Sequence, residues 1–184
     1  MRVFLPAVIF FLTGSFLSAE TVCDALSKNW AKVRTYQCTY HAITSHEGKI
    51  KETVMTYTYQ KPGKIRMDIL KPQKGAVLLY DPEKSEKVKV RPFPKLRFVV
   101  LDYKLTDKRV SSDSGGTIDR SDLGTRTAGT CADSKAKNRR YSYDENGFIR
   151  KAESLDAKGN VVEFFEWSDL KTNLDLEPKT FTDF

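Results

Sequence analysis

The sequence predicts a mainly β domain, a strongly curved antiparallel sheet with an N-terminal helix packed on it. Three observations carry that expectation. From Thr35 to Phe181, apolar and polar residues alternate in many short runs, and alternate side chains of a strand fall on opposite faces. Turn pairs separate these runs at Glu47-Gly48, Pro62-Gly63, Asn146-Gly147 and Lys158-Gly159. Asn-Gly between alternating runs is the strongest short-range hairpin signal. One stretch, Thr21 to Val33, has helical spacing instead, with Val22, Leu26, Trp30 and Val33 on one stripe that a sheet would bury.

The elements follow in order. Arg2 precedes an apolar run from Val3 to Leu17, then Ser18-Ala19-Glu20. A basic start, a short apolar run and a small residue before a polar one describe a secretory signal peptide, 1–19, cleaved after Ala19. A membrane anchor needs about 20 apolar residues, more than this run supplies. Residues 20–184 suit one domain, with no repeat and no Pro-, Gly- or Ser-rich linker to divide them.

After the helix, Tyr36, Cys38, Tyr40 and Ala42 point one way and Gln37, Thr39 and His41 the other. Met55, Tyr57 and Tyr59 share a face in the next strand, Lys49 to Gln60. Ile65, Met67 and Ile69 do so in Lys64 to Leu70. Further strands are expected at Gly75 to Tyr80, Glu86 to Val90 and Lys95 to Asp102, and the chain ends in a meander from Tyr141. Many short strands joined by turns mean a barrel or a curved sheet.

Ser111 to Thr130 interrupts this rhythm, being polar and glycine-bearing with no strand pattern. Segments of that kind are lids, binding loops or plain surface loops. A short helix ended by Gly124 is expected within it, at Ile118 to Gly124.

The formal net charge is +7, but Lys and Arg alternate with Glu and Asp along most strands. That pattern describes a solvated surface and not a nucleic-acid stripe. The densest basic stretch, Lys84 to Arg97, reads as a charged edge strand that resists aggregation, with attraction to an anionic membrane or partner as the alternative. Of Cys23, Cys38 and Cys131, two are expected to pair in an oxidising compartment, and spacing leaves the choice open. No close cysteine pair suggests zinc, and His41 and His46 have no neighbouring ligand motif, so no metal or cofactor is expected. No nucleophile elbow or phosphate loop occurs, and the chain is read as non-enzymatic.

The remaining signal is a set of large side chains on one face of the sheet. Tyr36, Tyr40, Met55, Tyr57, Tyr59, Met67, Ile69, Leu79, Val161, Phe165 and Trp167 are its candidates, with Trp30 from the helix. One reading is a core closed by the helix. The other is an apolar cavity for an acyl chain, with Met as deformable lining. A single helix is little cover for a sheet of about ten strands, which leaves room for a cavity.

Three segments resemble the LolA-like superfamily of periplasmic lipoprotein carriers. They are Leu26 through Tyr36, the basic-Pro-Gly turn in Tyr59-Gln60-Lys61-Pro62-Gly63-Lys64-Ile65-Arg66, and the closing hairpin from Gly159 through Trp167 to Asn173 with Phe181. The order of elements matches over nearly the whole chain, and the 113–124 segment is more similar to an uncharacterised branch. The resemblance implies an incomplete barrel lidded by the N-terminal helix and the short helical or irregular segment. It also implies a periplasmic monomer that shields acyl chains of a lipid or lipoprotein, with a protein donor or acceptor in the envelope. Lys61 matches the basic residue that holds the lid in the carriers, keeping the charge of their Arg without its planar fork. The alternatives are an envelope sensor or adaptor that binds a protein partner, or an envelope enzyme.

Overall fold

The structure, a computed structural model, describes residues 19–46, 49–96, 98–112, 116–132 and 138–184. The expected signal peptide falls almost entirely on residues 1–18, outside the described residues. Helix α1 spans Ala19–Trp30, and nine strands follow: β1 Thr35–His46, β2 Lys49–Gln60, β3 Lys64–Lys71, β4 Val77–Tyr80, β5 Lys87–Arg91, β6 Leu101–Lys104, β7 Arg139–Tyr143, β8 Ile149–Leu155 and β9 Val161–Thr172. A 3-10 turn at Ile118–Arg120 and helix α2, Leu123–Ala132, lie between β6 and β7.

All strands form one antiparallel sheet in the order β6-β5-β4-β3-β2-β1-β9-β8-β7. Two hairpin meanders, β1 to β6 and β7 to β9, are joined where β9 pairs with β1. The edges β6 and β7 do not pair, so the sheet is curved but not closed. This topology explains the polar segment after β6. The chain leaves one edge of the sheet at β6 and re-enters at the opposite edge with β7, and the 3-10 turn and α2 lie between them on the open face.

Register fixes which side chains share that face. Tyr36 pairs with Tyr59, Cys38 with Tyr57 and Tyr40 with Met55. Tyr59 pairs with Ile65 and Tyr57 with Met67, and beyond them Ile65 pairs with Tyr80 and Met67 with Leu78. Trp167 lies opposite Tyr40 and Phe165 opposite Ala42. A one-residue slip would turn each such set to the other face.

Two candidates are out of phase with this set. Leu79 pairs with Arg66, so it faces the convex side, where it is 4% exposed. The C-terminal 3-10 turn, Pro178–Phe181, packs on β3 with Phe181 buried, and Arg66 Nη1 donates to the Thr180 carbonyl at 3.1 Å. β4 is thus covered on both faces, and Leu78 takes the inward position expected of Leu79. Val161 pairs with Leu155 beyond a register shift that follows Ser154↔Glu163. That bulge removes it from the face of Phe165 and Trp167 and leaves it exposed.

Other boundaries also move. The strand expected at Lys95 to Asp102 begins only at Leu101, and the one strand within the basic stretch Lys84 to Arg97 is β5, which lies one strand in from the edge. Gly124 does not end a helix but sits near the start of α2.

Candidate functional site

The concave face is an aromatic wall. Tyr36 stacks on Tyr57 at 5.8 Å between ring centres and on Tyr59 at 5.1 Å. Trp30, from the last residue of α1, contacts Tyr36, Tyr59 and Phe148 at 5.6–6.0 Å. Tyr40 and Trp167 form a second pair at 5.5 Å. Met55 is buried, and Met67, Ile69 and Phe165 are partly buried against this cluster. The structure therefore brings together every predicted lining residue except Leu79 and Val161.

The short helical segment expected over this wall is present, but its helix runs later than the expected Ile118 to Gly124, at Leu123–Ala132. Helix α2 has the sequence LGTRTAGTCA, with Leu123 as its one fully buried large apolar side chain. Its packed face otherwise consists of Gly124, Thr127 and Thr130, all buried. Each threonine hydroxyl is satisfied inside the helix: Thr127 donates to the Leu123 carbonyl and Thr130 to the Thr127 carbonyl, both at 2.7 Å. A polar helix can lie on an apolar wall at little cost when its hydroxyls are paired in this way. Asp122 caps its start by accepting from the Thr125 N–H at 3.0 Å. A Cβ on Gly124 would fall within 2.6 Å of the Trp30 indole nitrogen, so the two helices meet where one has no side chain.

Hydrogen bonds fasten α2 to both halves of the sheet. On the β1–β2 side, the Leu123 N–H donates to the Tyr36 hydroxyl at 2.8 Å, which satisfies a free amide of the helix start. Tyr57 and Ser121 hydroxyls are 2.9 Å apart. Ser121 donates to the Ile118 carbonyl, so Tyr57 is the donor of that pair. On the β7–β8 side, the Ile149 N–H donates to Thr127 Oγ1 at 3.1 Å and Tyr143 donates to Thr130 Oγ1 at 2.9 Å. Burial pushes the phenols of Tyr36 and Tyr57 well above their ordinary range, and it pushes Tyr59 up to about 12. All three stay neutral at physiological pH.

Helix α1 is fastened differently. Cys23 is bonded to Cys131, which ties α1 to the end of α2, while Cys38 is free, buried on the concave face, and pushed up to about 12 by burial. Lys61 Nζ donates to the Trp30 carbonyl at 2.6 Å and lies 4.9 Å from the centre of the indole. A cation at the carbonyl end of a helix meets both the unpaired carbonyls and the negative end of the dipole. Lys61 thus holds the end of α1 through a backbone acceptor. Asn29 adds a bond to the Asn146 carbonyl at 3.1 Å.

Trp30, Ile118 and Leu123 pack against the aromatic wall. A groove of about 490 Å³ runs between the helices, lined by Leu26, Trp30, Gly124, Ala128 and the disulfide. A polar hollow of about 610 Å³ lies at the end of α1 among Lys32, Asp144, Arg150 and Asn173.

An open antiparallel half-barrel with a two-helix lid across its concave face is a recognised class of fold. No family model matches the chain, and no curated protein matches it. Solved structures do. An uncharacterised conserved protein from Thermus thermophilus superposes with a TM-score of 0.53 at 14% identity, covering 91% of this chain and 94% of that one. A LolA superfamily protein from Nitrosomonas europaea does so with a TM-score of 0.50 at 12% identity, covering 91% and 98%. The chain has the LolA-like fold.

Proposed function

We propose that this protein is an exported, non-enzymatic carrier that shields acyl chains of a lipid or lipoprotein against its concave face. The observation that supports this reading is the fastening of the lid. An apolar wall containing Tyr36, Tyr57, Tyr59, Met55 and Met67 is covered by helices held to it by a few hydrogen bonds and the Lys61 clasp. The disulfide between the helices lets them leave the wall together and fits an oxidising compartment outside the cytoplasm. An entering chain replaces Trp30 and Leu123 as the wall's apolar partner. Burial contributes about 0.8 kcal/mol per CH₂, so an acyl chain of ordinary length offsets the loss of the lid's hydrogen bonds.

Native mass spectrometry of the protein purified from the cells that make it tests the reading. Co-purifying lipid or lipopeptide, and uptake of a fluorescent fatty acid that Tyr57→Asp and Phe165→Asp abolish, are expected. A clean apo mass with no fatty-acid uptake by the unaltered protein would overturn it.

A further inference from the structure

In an antiparallel meander, alternate hairpins turn at the same end of the sheet. Here the β1–β2, β3–β4, β5–β6 and β8–β9 hairpins all turn at one end, because Ile43 pairs with both Glu52 and Phe164, Val54 with Lys71, and Val77 with Arg91. The opposite end holds the Lys61-Pro62 turn, the β7–β8 turn and the last turn of α1. Ten large apolar side chains are exposed among the described residues, and all ten lie at or next to the first set of turns. Ile50, beside the β1–β2 tip, is 78% exposed, and Phe98, in the β5–β6 tip, is 84% exposed. Phe93, Leu96 and Val100 share that second tip, and Leu70 flanks the β3–β4 turn. Scattered exposed apolar residues need no explanation, but their collection on one rim does.

The same four tips are basic. The described residues within 43–52, 70–76, 92–101 and 156–162 include six lysines and two acids. Both acids are already engaged: Glu52 with Lys71, and Asp156 with the backbone of its own turn. Large apolar side chains on separate loop tips, interspersed with lysines, have the chemistry of an interfacial anchor. The apolar groups enter the acyl boundary and the cations meet anionic headgroups. Separate tips on a curved rim suit a fluid surface better than a rigid complementary one.

We propose that this rim docks the protein on an anionic bilayer surface, with the β5–β6 tip as the deepest inserting element. The tip's neighbours hold it in place: Gln73 Nε2 donates to the Pro92 carbonyl at 2.9 Å, and the missing side chain of Gly75 lets the β3–β4 turn pass against Pro94, where a Cβ would lie 2.8 Å from the proline ring. Docking does not require that the concave face bind acyl chains, and the two ideas fail separately.

Flotation of the purified protein with vesicles of phosphatidylcholine containing about a quarter phosphatidylglycerol tests it. Binding is expected to anionic vesicles, to weaken about tenfold or more on pure phosphatidylcholine, and to fall at about 0.5 M salt, where screening is strong. Leu96→Ser with Phe98→Ser should reduce binding about tenfold or more, and Ile50→Ser should reduce it less. These variants are expected to keep the melting temperature and fatty-acid uptake of the parent, since their side chains lie in solvent. Absence of vesicle binding by the parent would overturn the proposal. So would equal binding of the double variant, or a parent dimer that the variant converts to monomer while neither floats with vesicles.

Discussion

Lys61 Nζ donates a 2.6 Å hydrogen bond to the Trp30 carbonyl and lies 4.9 Å from the centre of the Trp30 indole. One side chain thus holds both the backbone end of α1 and the ring that covers the tyrosine wall. Lys61→Met keeps most of the stem and removes the charge. It should lower the free energy of unfolding by about 1 kcal/mol and accelerate fatty-acid uptake. Lys61→Arg should retain most of both, because a guanidinium still donates to a carbonyl and stacks on an indole. Urea unfolding and stopped-flow uptake check this, and a Met variant identical to the parent in both would leave the clasp without a role.

The contact of Gly124 with Trp30 gives a second test. Gly124→Ala places a methyl group inside the indole's volume and should destabilise the protein by about 1–3 kcal/mol, although alanine is the better helix former. Adding Trp30→Leu should recover part of that loss, and a double-mutant cycle would read the coupling. Additive losses would mean that the helices accommodate the methyl by moving apart.

Cys23 and Cys131 are 108 residues apart in sequence. Closing so long a loop restricts the unfolded chain strongly, so replacing both by Ser should cost about 3–5 kcal/mol, read by urea or thermal unfolding. Reducing agent should reproduce the effect in the parent and leave the double variant unchanged.

The buried Cys38 thiol gives a pH dependence. Burial raises its folded-state value to about 12, whereas an unfolded thiol ionises near ~8.5. Above that lower value the unfolded chain loses a proton that the folded chain keeps, so stability falls as pH rises. The expected slope is about 1.0–1.3 kcal/mol per pH unit between pH 9 and 10, before the tyrosines contribute. Unfolding of Cys38→Ala across this window should show a shallower slope, and an unchanged slope would assign the effect elsewhere.

The sheet was legible in the sequence because its signals are local. Asn146-Gly147 and Lys158-Gly159 sit at the turns they announced, and the alternation around Tyr36, Tyr57 and Met67 put those side chains on the face where they lie. Leu79 was misplaced because Val77-Leu78-Leu79-Tyr80 is apolar throughout, and its phase is set by pairing with Arg66 and by Phe181 arriving from the far end of the chain. Val161 was misplaced by a bulge that no residue type announces. The extent of helix α2 stayed hidden because, past Leu123, its buried face is made of Gly and Thr, whose fitness for that place depends on Trp30, Ile149 and Tyr143.

The hydrogen bonds of α2 to both halves of the sheet limit how the covering helices can travel. A strap tied at both margins of an arch does not swing away like a door; it bows outward between and beyond its ties. Tyr36 and Tyr57 tie the start of α2 over β1 and β2, and Ile149 and Tyr143 tie its later turns beside β8 and β7. Slack in such a strap appears away from those ties, over β3 to β5. There Met67, Ile69, Leu78 and Val90 are already half-buried, and a guest chain would meet them first.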